Sequence, residues 1–576
     1  MSERKIGVYV CQCGGNISDY VDVERVRQAV AEDPDVVVAR TAMFTCSDAT
    51  QQEIVDDIKL DDLDGLVVAS CSPKLHTFTF RGVARRAGLN PYRYTQVNLR
   101  EQDSWAHTDD RAGATEKAIR LVRAGIARTR LLEPLDPTVV ETVPRALVIG
   151  AGIAGLRAAI GLADIGLGVI LIEREAEVGG HVRELGTMYP HDRQGQELIS
   201  ELLGEVRRRE GIALFTNAEL VRKGGTFGNY EVDIRTRGDS NMTRRFEVGS
   251  VIVATGFDSY LPEEGEYGYG IPGVLTLPEF KKLVDASEGP LVYGDRPVRS
   301  VAYIYCVGSR QGESGPNQYC SRFCCTSAVH TDLELRAKSP RVHQYHLYRD
   351  MRTYGRYELL YNDSREKGSA YLKFAPDTPP EVQRRGDGRL EVRVHDQLTS
   401  QREVNLEVDL VVLVTGMVPR SNQELIQRLK LPVGRDGFFN EIHPKLRPVE
   451  TVVDGVAICG SCQFPKTAGE SVASGLAAVS WSAAMLKQGR AELDPQVATV
   501  DPDLCTFCGA CTEACPYGAI GQQDLGGGRQ VAVIDPATCK GCGGCAPLCP
   551  EHAINVLGYT GREVEAMIES LAAGVA

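Results

Sequence analysis

The sequence lacks any apolar run approaching the roughly 18 residues that a membrane-spanning helix needs, so no transmembrane segment is expected. No secretory apolar region is present either: Met1-Ser-Glu-Arg-Lys-Ile6 runs straight into a strand-like stretch. A cytoplasmic location is expected. Basic charge is not in excess. The 64 Lys and Arg are outnumbered by 77 Asp and Glu, a net charge of −13, which argues against nucleic acid or an anionic membrane as partner. Low-complexity tracts are missing, and 43% hydrophobic with 24% charged residues excludes wholesale disorder. A chain of 576 residues is too long for one core; at roughly 150 residues each, about three or four domains are expected.

What the sequence does have is 18 cysteines. At about 3% of the chain they are too sparse for a secreted disulfide scaffold, which leaves metal ligation, redox chemistry or burial. Residues 502–520 and 536–554 align as an internal repeat, each holding C-x2-C-x2-C-x3-C-P. Cys505, Cys508, Cys511 and Cys515 precede Pro516; Cys539, Cys542, Cys545 and Cys549 precede Pro550. This is the bacterial ferredoxin run, in which the fourth cysteine of each repeat ligates the other cubane. One cluster is therefore expected on Cys505, Cys508, Cys511 and Cys549, the other on Cys539, Cys542, Cys545 and Cys515. Zinc ribbons require neither the duplication nor the C-x3-C-P ending.

A strand-like stretch from Ala146 runs into Gly150-x-Gly152-x-x-Gly155, then a helical pattern over Leu156–Ile165 and a second strand, Val169–Ile172, ending in Glu173. Glycines at this spacing let a pyrophosphate approach the backbone at the positive end of a helix, and the acid takes the ribose hydroxyls. Two later segments, Val251 to Thr255-Gly256 and Val411 to Thr415-Gly416, resemble the A-T-G strands that close the two dinucleotide domains of flavoprotein disulfide reductases. Arg174-Glu-Ala-Glu-Val-Gly179-Gly180 is similar to that family's flavin-side loop. FAD is the cofactor this favours. In that family a second glycine fingerprint binds NAD(P)H in an inserted domain. Here the matching strand, from Val301 to Cys306-Val-Gly308-Ser-Arg310, is followed by no such triplet but by Cys320, Cys324 and Cys325. Nicotinamide binding is not expected there.

Cys306-x13-Cys320-x3-Cys324-Cys325 supplies four thiolates. Adjacent cysteines bridge each other poorly, but both can reach a cubane if the chain curls around it; the other option is buried thiols with one reactive member. In the first block Cys11-x-Cys13, Cys46 and Cys71 each follow an apolar stretch, Cys46 the run Ala42–Thr45. In a parallel sheet these strand ends share one edge, where ligands bind; the alternative is small buried side chains. Cys459 and Cys462 remain, a C-x2-C that suits either a redox dithiol or two buried thiols.

With Ile6-Gly-Val-Tyr-Val-Cys-Gln-Cys-Gly, Ala69-Ser-Cys-Ser-Pro, Gly179-Gly-His181, Cys306-Val-Gly-Ser-Arg310, Tyr319-Cys-Ser-Arg-x-Cys-Cys325 and the ferredoxin tail, nearly the whole chain resembles the A-type subunit of heterodisulfide reductase. The resemblance implies an α/β architecture in four parts. They are a small α/β domain over 1–140 with a cysteine-ligated cluster, and a discontinuous FAD domain of disulfide-reductase type over 141–290 and 405–495. An inserted NAD-domain-like unit over 291–404 carries a second cysteine cluster, and a two-cluster ferredoxin domain spans 496–576. It implies an oxidoreductase with FAD and four [4Fe–4S] clusters, passing electrons between paired and single transfer within a larger complex. Implied partners are B- and C-type subunits, a hydrogenase- or dehydrogenase-like donor, ferredoxin and a second copy of the chain. His181 is a candidate flavin neighbour that would stabilise a reduced, anionic ring. In bifurcating members the FAD splits electron pairs between heterodisulfide and ferredoxin. Longer members carry a further ferredoxin domain after the Gly-Gly-His loop; here His181–His191 continues without cysteine, which removes two clusters and one electron exit. Two other readings are an NAD(P)H-dependent reductase using Cys459 and Cys462, and a non-catalytic cluster scaffold.

Overall fold

A computed structural model describes residues 4–237, 242–313 and 315–573. It divides into two compact units, Met1–Val140 with Glu492–Ala576, and Glu141–Ala491. Among the described residues no helix is long and apolar enough to cross a membrane.

In the first unit four parallel strands lie in the order Val36–Ala42, Ile6–Cys11, Gly65–Ser70, Tyr94–Asn98. Ile6–Cys11 and Gly65–Ser70 are buried at every position, as strands covered on both faces must be. Val8, Val10, Val67 and Ala69 pack with helices Val23–Ala31 and Arg111–Leu131 on one side. Tyr9, Leu66 and Val68 pack with Asp48–Leu60 and Pro73–Ala87 on the other. The winding reverses between Ile6–Cys11 and Gly65–Ser70, so the crevice at their carboxyl ends is the sheet's natural ligand position. One boundary differs from expectation. The strand before Cys46 ends at Ala42, and Met43 and Phe44 are exposed, so Cys46 stands on a loop beyond the sheet.

Two antiparallel pairs build the cysteine-rich tail, Ala498–Val500 with Ile554–Val556 and Ile520–Asp524 with Gln530–Ile534. Its last helix, Gly561–Ala572, packs along Arg111–Leu131. The buried Arg128 donates to the Gly558 carbonyl and lies 4.1 Å over the Tyr559 ring. The tail and the amino-terminal block, expected as separate domains, thus form one unit.

The second unit contains two parallel sheets on a common plan. The first has the order Ile212–Phe215, Gly168–Ile172, Arg145–Ile149, Ser250–Val253, Val456–Ile458. The second has Ala370–Lys373, His343–Tyr348, Ser300–Val307, Leu410–Thr415, Val274–Thr276. In each, a three-stranded antiparallel meander immediately precedes along the chain the strand given fourth in that order: Ala218–Thr226, Asn229–Thr236 and Thr243–Val248 before Ser250–Val253, and Glu381–Arg384, Leu390–Asp396 and Arg402–Val408 before Leu410–Thr415. The inserted unit was expected to end at 404. It does not, because Leu410–Thr415 pairs with Ser300–Val307 and brings Val274–Thr276 with it.

Candidate flavin cavity and thiolate sites

A cavity of 1710 Å³ opens at the carboxyl ends of the first sheet of the second unit. Gly150, at φ +102°, leaves no room for a side chain: a Cβ there would stand 2.4 Å from the Ala254 carbonyl oxygen. One on Gly155 would stand 1.9 Å from the Gly150 oxygen, so glycine alone lets helix Ile153–Asp164 approach the loop. Gly152 meets nothing within 4 Å and faces open space. The buried Glu173 accepts from the Ala151 amide at 2.7 Å and the Glu175 amide at 3.1 Å, which ties its carboxylate beside the loop. Glu173, Arg174, Gly180, His181 and Gly256 all line the cavity, while Gly155 does not and packs on Gly150. The first turn of helix Ala468–Leu486 also lines it, directing its positive end inward. A glycine cradle, a helix amino end and a fixed acid fit FAD.

His181 does reach the cavity, but its Nε2 donates to the Phe257 carbonyl at 2.8 Å and its ring stacks on Phe257 at 4.4 Å. Arg420 donates to the same carbonyl. Sequence reasoning missed Lys466, a cavity-lining lysine only 8% exposed. Burial pushes its ammonium below the usual lysine range, partly opposed by Cys462 and Cys459. The only sequence signal is its position immediately before the Thr467 capping box. Cys459 and Cys462 are buried and absent from the cavity wall. The Cys462 thiol donates to the Cys459 carbonyl at 3.1 Å, and burial raises both thiols. That arrangement suits packed thiols better than a dithiol open to the flavin.

In the second sheet the equivalent crevice is filled by protein. The Tyr260 ring covers Gly308, and a Cβ on Gly416 would stand 2.6 Å from Ser321 Oγ and 3.0 Å from Ser309 Cβ. Cys306 comes near the end of the central strand of this sheet, Ser300–Val307. The strand slips register against its neighbour between Ile304 and Val307, and Cys306 takes φ +63°. The bulge turns Cys306 onto the side of Tyr303 and Tyr305, where it packs with Cys324 and Cys325. These two open helix Cys324–Lys338; Cys320 precedes them and accepts from the Arg322 amide at 3.3 Å. Burial, then Cys325, pushes the Cys306 thiol up to about 11, with Cys320 contributing and Arg310 opposing. The four thiols are electrostatic neighbours.

The amino-terminal set gathers likewise. The Cys13 amide donates to Cys11 Sγ at 3.3 Å, the Thr45 amide to the same sulfur at 3.5 Å, and Arg100 Nη1 to Cys13 Sγ at 3.6 Å. Burial pushes the Cys71 thiol up to about 12, with Arg100 opposing and Cys13 and Cys11 adding; Cys46 feels the same two thiols.

In the tail Cys505, Cys508, Cys511 and Cys549 line one small cavity that excludes Cys515, the crossed pattern the repeat predicts. The two halves match in detail. Amides of Ala532 and Ala498 donate to Cys505 and Cys539, and those of Ala519 and Ala553 to Cys515 and Cys549. Phe507 and Gly541 occupy equivalent positions at φ +52° and +58°. Among the described residues no three His, Cys, Asp or Glu side chains close on the point a single ion would occupy. This includes the ferredoxin cysteines.

The pyridine nucleotide-disulphide oxidoreductase family matches residues 144–297, and the 4Fe-4S dicluster domain family matches 504–553. Among solved structures, Lactococcus lactis thioredoxin reductase is similar at 16% identity and a TM-score of 0.42, over 60% of this chain and 99% of that one. An A-type iron–sulfur subunit of the CoB–CoM heterodisulfide reductase of Methanopyrus kandleri is 37% identical over 602 residues, 90% of this chain and 91% of that protein. The A-type subunit of the H(2):CoB–CoM heterodisulfide,ferredoxin reductase of Methanothermobacter thermautotrophicus is 36% identical over 603 residues, with the same shares of each chain. Both alignments are longer than the 576 residues of this chain, so these relatives carry segments it lacks. With the nucleotide fold, the dicluster tail and this extent of identity, the chain belongs to the A-type subunit family of heterodisulfide reductases, which are iron–sulfur oxidoreductases.

Proposed function

We propose that this oxidoreductase is the FAD- and [4Fe–4S]-bearing electron-transfer component of a heterodisulfide-reductase-like complex, joining paired-electron exchange at one flavin to single-electron exchange at four clusters. The observation that carries the reading is the second nucleotide-type crevice, filled by Tyr260, Ser309 and Ser321 beside the Cys306, Cys320, Cys324 and Cys325 thiols. Bound FAD supplies two electrons as a pair or one at a time, and each cubane carries one. The chain's own residues do the rest. Gly150, Gly152 and the amino end of Ile153–Asp164 bind the pyrophosphate, and Glu173 orients the ribose. Arg174, Gly180 and Gly256 border the cofactor, and His181 and Lys466 bring an imidazole and an amine to the same cavity. Amide-to-sulfur hydrogen bonds at Cys505, Cys539, Cys515 and Cys549 tune the cluster potentials.

The proposed partners are B- and C-type subunits, a hydrogenase- or dehydrogenase-like donor, ferredoxin and a second copy of this chain. The Methanothermobacter relative is named for hydrogen, ferredoxin and the CoB–CoM heterodisulfide. The cysteine-free His181–His191 stretch favours simple relay over bifurcation. A stand-alone NAD(P)H reductase is disfavoured by the filled crevice and by the burial of Cys459 and Cys462 away from the cavity. A flavin-free scaffold is disfavoured by the glycine cradle.

The test is an iron and flavin count on the purified chain, with NADH and NADPH added anaerobically. About sixteen irons and one FAD are expected from the ligand sets, with no bleaching. About eight irons, absent flavin, or bleaching by either nucleotide would overturn the proposal.

A further inference from the structure

His346 and Asp332 are each 0% exposed, and the imidazole Nε2 lies 3.8 Å from the carboxylate. Tyr303 and Tyr371 sandwich the imidazole, at 4.6 Å and 4.4 Å and within 8° of parallel. At its edge the Tyr305 hydroxyl is 2.8 Å from Nδ1. Tyr305 precedes Cys306 and packs in one core with Cys306, Cys324 and Cys325. On the far side Asp332 accepts from the Ser369 hydroxyl at 2.8 Å and from Ser364, whose hydroxyl is 2.7 Å from that of the half-buried Tyr371. Arg336 is turned to Ser369 and the Val342 carbonyl. Tyr361 and Tyr348 meet Tyr371 edge-on. His346 Nε2 has no hydrogen-bond partner although fully buried.

An unpaired buried nitrogen facing a buried carboxylate is expensive unless a proton arrives between them. We propose that His346 takes up the proton that accompanies reduction of the cluster on Cys306, Cys320, Cys324 and Cys325, an inference that rests on the cluster reading above. With Nδ1–H donated to the Tyr305 oxygen, Nε2 presents a lone pair to Asp332. Reduction would place one electron, supplied by the reduced flavin, on the cluster that the four cysteines would hold. One proton from solvent passes by way of the Tyr371 and Ser364 hydroxyls to Asp332 and on to Nε2. The products are a reduced cluster, an imidazolium and a carboxylate, and the electron's charge is balanced in a low-dielectric core where it would otherwise be costly. His346 is a positioning residue for charge, since it touches no cluster ligand.

The test is an EPR-monitored redox titration of the intact, iron-loaded protein from about pH 6 to 9, around the range where histidine titrates. The signal lost in Cys320→Ser identifies the cluster. Its midpoint potential is expected to fall as pH rises, by up to about 59 mV per tenfold change in proton concentration for one electron. His346→Gln is expected to flatten that slope, and Asp332→Asn to move the sloping region to lower pH by removing the anion that favours imidazolium. A flat wild-type profile, or an unchanged slope in His346→Gln, overturns the proposal and leaves the cluster standing. Should His346→Gln fail to hold iron, an unmoved slope in Asp332→Asn overturns it. If no signal depends on Cys320, the cluster reading falls and this inference with it.

Discussion

The ring of Tyr260 lies against Gly308 so closely that a Cβ on the glycine would stand 2.0 Å from the ring. Gly308 also holds φ +71°, and the Tyr260 hydroxyl is anchored on Glu266 at 2.9 Å. Gly308→Ala should therefore lower stability by roughly 1–3 kcal/mol, from overpacking and backbone strain. Tyr260→Ala should relieve the overpacking part. A double-mutant cycle by denaturant unfolding is expected to give a favourable coupling of about 0.5–3 kcal/mol; strict additivity would mean that the ring does not close the crevice.

The tail repeat makes a second prediction. A Cβ on Gly541 would stand 2.0 Å from the Gln496 carbonyl oxygen, and Gly541 holds φ +58°. Phe507, its counterpart in the other repeat, already accepts the same backbone conformation. Gly541→Ala is expected to cost one cluster, about four irons per chain, whereas Phe507→Gly should keep the full complement. Equal iron in both variants would contradict the distinction.

Two arginines should set potentials. Arg310 Nη1 approaches Cys306 Sγ at 4.0 Å while its other arm holds Asp350 at 2.6 Å, and Arg100 meets Cys13. A fixed cation beside a thiolate stabilises the more negative, reduced state. Arg310→Met and Arg100→Met should each lower the midpoint potential of one cluster and leave the ferredoxin pair unchanged, as read by EPR titration. A rise in either would reverse the sign of this account.

Lys466 links pH to stability. Its ammonium titrates below the usual lysine value of 10.5 in the folded protein because it is buried. The unfolded chain therefore binds more protons between the two values, so this lysine's contribution becomes more favourable as pH rises towards 10.5 and is lost as pH falls through the lower value. The melting temperature of the parent relative to Lys466→Met should accordingly increase as pH rises through that window. A constant difference would show that burial does not perturb the lysine.

The buried acid of the flavin loop gives a fifth test. Glu173→Ala removes the acceptor for the Ala151 and Glu175 amides. Losing hydrogen bonds to a charged group costs about 1.5–3 kcal/mol each in stability, and with the ribose acceptor gone FAD affinity, measured by fluorescence of released flavin, should fall about tenfold for every ~1.4 kcal/mol of binding lost.

The glycine fingerprint, Glu173 and the ferredoxin repeat were legible because each chemistry fixes residue type and spacing over a short stretch. The parallel strands Ile6–Cys11 and Gly65–Ser70 were legible as continuous apolar runs. The rest depends on contacts that spacing does not encode. Strict alternation would point Cys306 away from Tyr305, and only a register slip against Leu410–Thr415 brings it round. The early end of the strand at Ala42 reflects exposure of Met43 and Phe44, which are apolar yet uncovered. Lys466 has only its place before the Thr467 capping box to mark it, and that says nothing of its burial. The docking of Gly561–Ala572 on Arg111–Leu131 through Arg128 joins residues more than 400 positions apart.

The shared strand order of the two parallel sheets in Glu141–Ala491 has a further consequence. Such an order fixes an address, the cleft where the winding turns, before any residue there is chosen. At the first address the chain keeps the small residues that welcome a nucleotide. At the second, Tyr260, Ser309 and Ser321 take up the space themselves. Inheritance of the frame therefore says where a guest would go and nothing about whether one is received.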